Sequence, residues 1–497
     1  MPPFEAQQLE SIMTDLDVVV VGGGPVGVMT ALLLKQRGLS VRVLERATEI
    51  YDLPRAIVMD DEIQRVFQHA GLLDGLREIT TPVLGAEFVT PQGEQLIGIE
   101  LPVDLAWPLG LHPSVSYYQP QLETFLRESA RAAGVDLQLG VEVGEVSQDE
   151  HSVTVHATTL NGETQSHTAR WLVAADGASS PIRKQLGIDL VDQGFDQGWL
   201  VVDVELNRAV PTLPRFVQQI CDPARPTTFV PGHKNYRRWE FQLLDGETRD
   251  NMIDPDRVWQ LLQPWLTPAD ARLIRAAVYR FHAVVASRMH QGRIFLAGDA
   301  CHQTPPFLGQ GLCAGIRDCV NLVWKLDLIA RGLAGAALLE TYDEERLPHA
   351  AGLVAHAVDT GRLIDQLSGR QSEGDGLGAA YGGSRPFPIL EHGVLYGTHP
   401  AIGRQLPQPT IGERPLDELL GNDFAVIVDD LSTAAGIASQ WAGLAAIVEV
   451  PIATLPSALP RGGAVIVRPD HYVAAVAHNA TELAAASAAL LALIRAT

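Results

Sequence analysis

The chain has 497 residues, 46% hydrophobic and 19% charged, the balance of a folded globular protein rather than a disordered one. At about 100–200 residues per domain it has room for several domains. Its 59 acidic against 37 basic side chains leave a formal charge of −22, which argues against nucleic-acid partners and against attraction to anionic lipid. The acidic amino-terminal stretch has no apolar signal core, and no segment reaches the roughly 18 uninterrupted apolar residues of a spanning helix. A cytoplasmic protein without a membrane partner is expected. Cys221, Cys301, Cys313 and Cys319 are too few and too scattered for a disulfide framework, and none has zinc-pair spacing, so no metal site is expected.

Order begins at residues 17–21 (DVVVV), a β-branched run that reads as a buried parallel strand. A glycine cluster follows, then a compact apolar helix over 26–36 closed by Gly38, then a second strand over 40–44 that ends at Glu45. This is the opening of a βαβ unit. Residues 80–113 carry several Pro and Gly with short strand-like pieces, and 121–133 read as a helix. Val153, Val155 and Ala157 alternate with polar residues, as on one face of an antiparallel strand. Residues 171–175 (WLVAA) form another buried strand that runs into Asp176-Gly177.

From about 190 to 280 longer strands take over, at 199–206 and 238–243. In the second, Trp239, Phe241 and Leu243 share one face while Arg238, Glu240 and Gln242 share the other. A separate sheet-bearing module inserted into the first domain is expected. Residues 294–297 return to a short parallel-type strand before Gly298-Asp299. A helix after it is marked by Leu322, Val323, Leu326, Ile329 and Ala330. Residues 366–385 are Gly/Ser-rich and read as a linker or mobile loop. Strands at 424–428, 445–450 and 464–467 then belong to a small α/β unit, closed by a buried helix over 484–494.

Three stretches carry chemistry. Gly22, Gly24 and Gly27, with Pro25 and Val26 between them, satisfy GxGxxG after a strand and at the start of a helix. The pattern supplies a tight turn, close approach to a pyrophosphate and close helix–strand packing, with the helix amino terminus facing the phosphates. Glu45, about 20 residues on, stands where a carboxylate accepts hydrogen bonds from ribose hydroxyls. A flavin site and a nicotinamide site both begin this way. Asp176-Gly177-Ala178-Ser179-Ser180, with Arg183 and Lys184 after it, reads as an Asx-type turn into a helix. Gly298-Asp299-Ala300 is a strand-end turn whose carboxylate could bind polyol hydroxyls. In the segment 304–315, Pro305 and Pro306 stiffen the approach, while Gly309 and Gly311 let backbone come close to a flat ligand. A helix starting near Leu312 would offer N–H groups to a negative charge. Taken alone, a purely structural Pro/Gly loop accounts for that segment equally well.

Together, GxGxxG with Glu45, then Asp176-Gly177, then Gly298-Asp299 and PPFLGQG resemble the single-component FAD-dependent aromatic hydroxylases, the class A flavoprotein monooxygenases. Pro54-Arg55-Ala56-Ile57, Asp60-Asp61-Glu62, Gln119-Pro120-Gln121 and Arg468-Pro469-Asp470 resemble their 3-(3-hydroxyphenyl)propionate hydroxylase branch, over nearly the whole chain. Two departures stand out: Cys313 replaces an Asn common in the family, and residues 366–410 are shorter than in the branch. The implied fold is α/β: a Rossmann-like FAD-binding domain, an inserted mixed or antiparallel substrate sheet and a small thioredoxin-like α/β unit. The corresponding boundaries are 15–190 (with 80–113 lent to the substrate domain), 191–284, 285–365, a linker at 366–395, and 396–497.

The resemblance implies an NAD(P)H-consuming monooxygenase that reduces FAD with NADPH or NADH. Molecular oxygen is then delivered to a phenolic ring, in this branch a hydroxyphenylalkanoate, through a flavin C4a-hydroperoxide. It places Gly22, Gly24, Pro25, Val26 and Gly27 at the pyrophosphate, and Glu45 with Arg46 at the ribose. Arg55 would contact phosphate or a moving flavin, and Gln119 the ribityl region. Asp176 and Gly177 would serve both FAD and NAD(P)H, and Gly298 and Asp299 the ribityl chain. Pro306 and Gly309 would shape the ring site, with the backbone of Gly311, Leu312 and Cys313 at the flavin N1/O2 edge. No catalytic base stands out. The candidates are His233, Tyr236, Arg238 and Tyr118, in segments that also hold His112, Tyr117, Arg237 and Trp239; ordinary core or surface roles account for each. Arg238 could bind a substrate carboxylate or pair with Glu240, and His302 reads as structural.

The carboxy-terminal unit has no cysteine after Cys319 and so no dithiol chemistry, leaving a packing or homodimer role. Three alternatives remain open: a tailoring hydroxylase for a larger polyketide or quinoline-like ring, an NAD(P) dehydrogenase, and a non-catalytic flavin-binding protein.

Overall fold

A computed structural model describes residues 16–52, 55–370, 388–451, 454–455 and 462–497. Pro54 and residues 371–387 of the expected linker lie outside the described residues.

Strands buried on both faces need unbroken apolar runs, and the first sheet is built from them. Leu16–Val21 lies between Val41–Glu45 and Thr164–Ala174, parallel to both. Asp136–Leu139 and Ile294–Leu296 extend the sheet in the same sense on either side. The helix Pro25–Gln36 leaves the first strand with Pro in its first turn, where no intrahelical donor is lost. It meets the long helix Gly311–Ala330 through small residues, with Thr30 Oγ1 donating to Cys319 Sγ at 2.7 Å. All four cysteines are buried and form no disulfide, and burial pushes the Cys319 thiol up to about 12, so these thiols are packing groups rather than reactive ones.

The second sheet has eight strands. Its spine is the antiparallel pair Leu190–Leu206 and Ala271–Ala286, longer than the sequence pattern of 199–206 suggested. Tyr236–Gln242, Thr227–Pro231 and Val217–Ile220 continue it antiparallel. Gly85–Val89 then adds parallel to Val217–Ile220, with Gln95–Glu100 at the edge. Trp239 and Phe241 lie on one face in a core with Phe229, Leu200 and the helix residues Val258 and Leu262. Arg238 and Glu240 take the other face, as their alternation requires. That face is not wet, however: Arg238 is 3% and Glu240 6% exposed, because it turns toward the Rossmann unit instead of solvent.

The last unit is a four-stranded sheet in the order Ala445–Glu449, Phe424–Val428, Ala464–Val467, Val473–Ala477, with a parallel first pair and antiparallel remainder. Helix Ala480–Arg495 covers it, and Trp324 and Leu328 of the long helix complete its core. Buried charges fasten the junction. Glu345 accepts from Lys325 Nζ at 2.9 Å and from Arg468 Nη2 at 2.7 Å, and Arg65 pairs with Asp417 at 2.5 Å. Burial alone would raise the Glu345 carboxyl, but Arg468 and Lys325 outweigh it and hold it at about 2. The class expected from sequence, a Rossmann-like unit, an inserted mixed sheet and a small α/β unit, is the one observed. Among the described residues no helix is long and apolar enough to cross a membrane.

Candidate active site

The three glycines of the first loop answer to different demands. Gly22 has φ 109°, and a Cβ there would lie 2.2 Å from the Ala175 carbonyl oxygen. At Gly27 a Cβ would lie 2.0 Å from the Gly22 oxygen. At Gly24 a Cβ would meet no atom within 4 Å, because that residue faces the open cavity. The first and third are required by the protein's own packing, whereas the second leaves room for something else. Glu45 closes over this loop, accepting the Gly23 N–H at 2.5 Å and the Ala47 N–H at 2.7 Å. Arg46 beside it is exposed and outside the cavity lining.

Arg127 holds the loop from behind, its Nε and Nη2 donating to the Gly23 carbonyl at 3.1 and 2.9 Å. Sequence reading missed it. The available signal was Gln119, Glu123 and Arg127 spaced four apart on the buried side of helix Gln119–Ala132. Gln119 lines the cavity, but its amide oxygen already accepts the N–H groups of Arg55 at 2.8 Å and Ala56 at 2.7 Å. Arg55 is exposed into the same cavity.

At the second signature, Asp176 Oδ2 accepts the Ile182 N–H at 3.2 Å, while its buried Oδ1 has no partner. Burial raises this carboxyl. Arg183 reaches from here to the Ala300 carbonyl at 2.8 Å, tying the second signature to the third. In the third, the Asp299 side chain is exposed on the cavity wall with Gly177 close by in the same lining. Gly298 donates its N–H to Asp318 Oδ2 at 3.0 Å. Cys301, His302 and Asp318 lie within 4.8 Å of one another, a grouping compatible in size with a metal ion. Both Asp318 oxygens are already engaged, by His302 Nε2 at 2.7 Å and by Arg346 Nε at 2.9 Å, so the trio is a buried ion-pair hub. His302 is buried with its Nε2 engaged by Asp318. Pro306, Gly309, Gly311 and Leu312 border the cavity, and Cys313 is fully buried just behind them. Helix Gly311–Ala330 begins at this border, so its amino terminus faces the cavity.

The cavity measures about 1330 Å³, above the ~300–1,000 Å³ of a single small-molecule site. One side consists of the glycine loop, Asp299 and the 306–312 loop. The other is the large sheet, with Val201, Val230, Arg238, Glu240 and Arg275, and an apolar rim at Leu101, Trp107 and Leu109.

Of the four catalytic candidates only Arg238 lines this cavity, and it pairs more closely with Asp203 than with the Glu240 expected from the sequence. Nε and Nη2 grip Asp203 at 2.7 and 3.1 Å, and Glu240 stands 3.9 Å away. Strand register, which local spacing does not reveal, put Asp203 opposite Arg238. Tyr118 and Tyr236 stack face to face with ring centroids 4.0 Å apart, outside the cavity lining, and burial raises both phenols. His233 bonds Thr81 Oγ1 through Nδ1 at 2.8 Å, and burial lowers its pKa. None of these three lines the cavity. His112 spans the Ser114 and Leu101 carbonyls, Tyr117 and Trp239 are core residues, and Arg237 caps the Lys234 and Tyr236 carbonyls.

Two cavity groups, Asp61 and Arg275, were not among the site residues expected from the sequence. Burial, helped by neighbouring Asp60 and Glu62, pushes the Asp61 carboxyl up to about 7. Its neighbours are paired with Arg317, Asp60 at 2.7 Å and Glu62 at 2.6 Å. Arg275 is the other; burial pulls it down to about 10.

Open space at Gly24, the orphaned Asp176 oxygen, the exposed Asp299 carboxylate and the helix start at Gly311 on the cavity border fit a dinucleotide with a polyol chain and a flat ring. The fold and site are those of an FAD-binding enzyme. Comparison with known proteins narrows this. Residues 15–357 match the family described as FAD binding domain, and residues 399–494 the family described as aromatic-ring hydroxylase, C-terminal. The chain is 35% identical to the probable NADH-specific resorcinol 4-hydroxylase of Rhodococcus jostii (strain RHA1), over 96% of this chain and 95% of that one. It is also 35% identical to a 3-(3-hydroxy-phenyl)propionate/3-hydroxycinnamic acid hydroxylase of Burkholderia cenocepacia (strain HI2424), over 82% of this chain and 78% of that one. Among solved structures, aklavinone-11 hydroxylase with FAD and aklavinone superposes with TM-score 0.81 at 23% identity, covering 97% of this chain and 99% of that one. The flavin-dependent monooxygenase PieE with FAD and substrate gives 0.81 at 24% identity, over 96% and 100%. At such identities the structures speak for the fold alone. The chain belongs to the FAD-dependent aromatic-ring hydroxylases, which are monooxygenases.

Proposed function

We propose that this enzyme hydroxylates a small phenol of the dihydroxybenzene class, with NADH as reductant and molecular oxygen as co-substrate. The observation that carries this is the end-to-end match to the resorcinol hydroxylase, 96% of this chain against 95% of that one. The phenylpropionate hydroxylases are matched over 78% of their length, so a hydroxyphenylalkanoate is the second substrate to test. A larger tailoring substrate rests on fold likeness alone and has less support.

Bound FAD would supply electron transfer and oxygen activation; the protein holds and orients it. The loop from Gly22 to Gly27 and the amino terminus of helix Pro25–Gln36 would carry the pyrophosphate, Asp299 on the cavity wall the polyol, and Glu45, which holds the loop at Gly23 outside the cavity lining, the ribose. Amides at Gly311 and Leu312 would stabilise negative charge on the ring. The apolar rim at Leu101, Trp107 and Leu109 would exclude water from the reacting ring. The proposal includes a cytoplasmic location and small-molecule partners only.

The test is NADH and NADPH consumption by the FAD-loaded protein with resorcinol, phenol and 3-(3-hydroxyphenyl)propionate, the hydroxylated product being quantified alongside. Resorcinol-stimulated NADH oxidation matched by product is expected. If FAD binds but none of these phenols stimulates turnover, the small-phenol reading falls and larger aromatics follow.

A further inference from the structure

Three adjacent strands of the large sheet bring Arg238, Asp203 and Arg275 into one row, Asp203 being in register with each arginine. Arg238 takes both Asp203 oxygens, at 2.7 and 3.1 Å, and Arg275 is left 3.6 Å from Oδ2. Arg275 is 4% exposed and lines the cavity, yet its Nε and Nη1 have no hydrogen-bond partner. A buried guanidinium with idle donors is costly, and its planar fork suits an anionic oxygen. Glu240, two residues beyond Arg238 on the same face, lines the same wall.

The groups that face Arg275 are Asp203, Arg238 and Glu240 from the sheet, Tyr279 on its own strand with the ring 4.7 Å from the guanidinium, and Tyr51 and Arg55 from the segment opposite. Asp203 and Glu240 are the two carboxylates set against three arginines, Arg238, Arg275 and Arg55. The wall therefore carries excess positive charge with unfilled donors.

Resting on the phenol-hydroxylase reading, we infer that Arg275 binds the phenolic oxygen of the substrate and holds it as the phenolate, with Glu240 the hydrogen-bond partner of a second ring hydroxyl. The phenol O–H bond breaks, its proton leaves to solvent, and no electrons are exchanged. The anion is richer in electrons at the ortho and para carbons, which is where oxygen is received. Arg275 is thus a substrate-binding residue that sets both specificity and ionisation.

The experiment uses the FAD holoenzyme with 3-fluorophenol as probe, its bound ionisation followed by ¹⁹F NMR against pH. In the wild type the bound probe should ionise at least one pH unit below the free probe. Arg275→Gln should abolish that shift and weaken binding at least tenfold, with FAD affinity and the KM for NADH unchanged. Arg275→Lys, which keeps the charge, should retain the shift while binding more weakly. Glu240→Gln should weaken resorcinol at least fivefold and leave 3-fluorophenol unaffected.

A wild-type probe that titrates like free phenol, or an Arg275→Gln enzyme that keeps the shift, overturns the inference and leaves the functional reading standing. So does an Arg275→Gln loss that falls on FAD or NADH, which would assign the arginine to a nucleotide. If Arg275→Gln does not fold, unchanged affinity in Arg275→Lys overturns it instead. A wild-type enzyme that neither binds 3-fluorophenol nor turns over any phenol removes the functional reading and the inference together.

Discussion

Arg238 grips Asp203 across neighbouring strands through Nε at 2.7 Å and Nη2 at 3.1 Å, while its Nη1 donates to the Arg55 carbonyl at 2.7 Å. One buried side chain thereby fastens the large sheet to the segment that follows the second Rossmann strand. Breaking such a pair from one side strands a charge in a dry wall. Asp203→Asn should cost about 3–5 kcal/mol, read as a lowered denaturant midpoint of the FAD-free protein. A cost below about 1 kcal/mol would mean that water reaches this face.

The glycine loop separates folding from binding. Gly22→Ala and Gly27→Ala place a methyl 2.2 and 2.0 Å from backbone oxygens and should destabilise the FAD-free protein by about 2 kcal/mol or more. Gly24→Ala meets nothing and should leave that stability within about 0.5 kcal/mol. Its defect should be confined to FAD affinity. Thermal melts with and without FAD distinguish the two behaviours.

Asp299 is exposed on the cavity wall, so its loss should leave the fold intact. Asp299→Ala should weaken FAD binding by about 1.5–3 kcal/mol, the worth of hydrogen bonds to a charged group. Flavin-fluorescence titration measures this, and full FAD retention would remove Asp299 from the cofactor site.

Asp61 should make the FAD-free protein less stable as pH rises. Burial first, then Asp60 and Glu62, raise its carboxyl from 3.8 to about 7. Between those values the folded state keeps a proton that the unfolded state has lost, so stability falls across that window. Asp61→Asn should match the wild type below about pH 4 and exceed it by about 1–3 kcal/mol at pH 8. Parallel denaturation curves at the two pH values decide it; equal offsets at both would show that the carboxyl titrates normally.

The glycine loop, Glu45, the Asp299 turn and the Pro/Gly approach to the long helix were all legible in the sequence. Each depends on a few consecutive residues whose turn chemistry and periodicity are local. The absence of cysteine after Cys319 was legible for the same reason. What no spacing announced was the partner of each buried charge. Arg238 reads locally as a neighbour of Glu240, yet strand register sets it against Asp203, 35 residues earlier. Helix Gln119–Ala132 carries Arg127 to a carbonyl 104 residues away. Tyr118 meets Tyr236 ring to ring instead of entering the cavity. Arg275 acquires its idle donors only because Arg238 has already taken Asp203. Strand alternation told which residues share a face of the sheet, but only the docking of that sheet against the Rossmann unit made the polar face dry. Burial is a property of the assembled layers, and it is burial that turns a row of ordinary charged residues into a candidate binding wall.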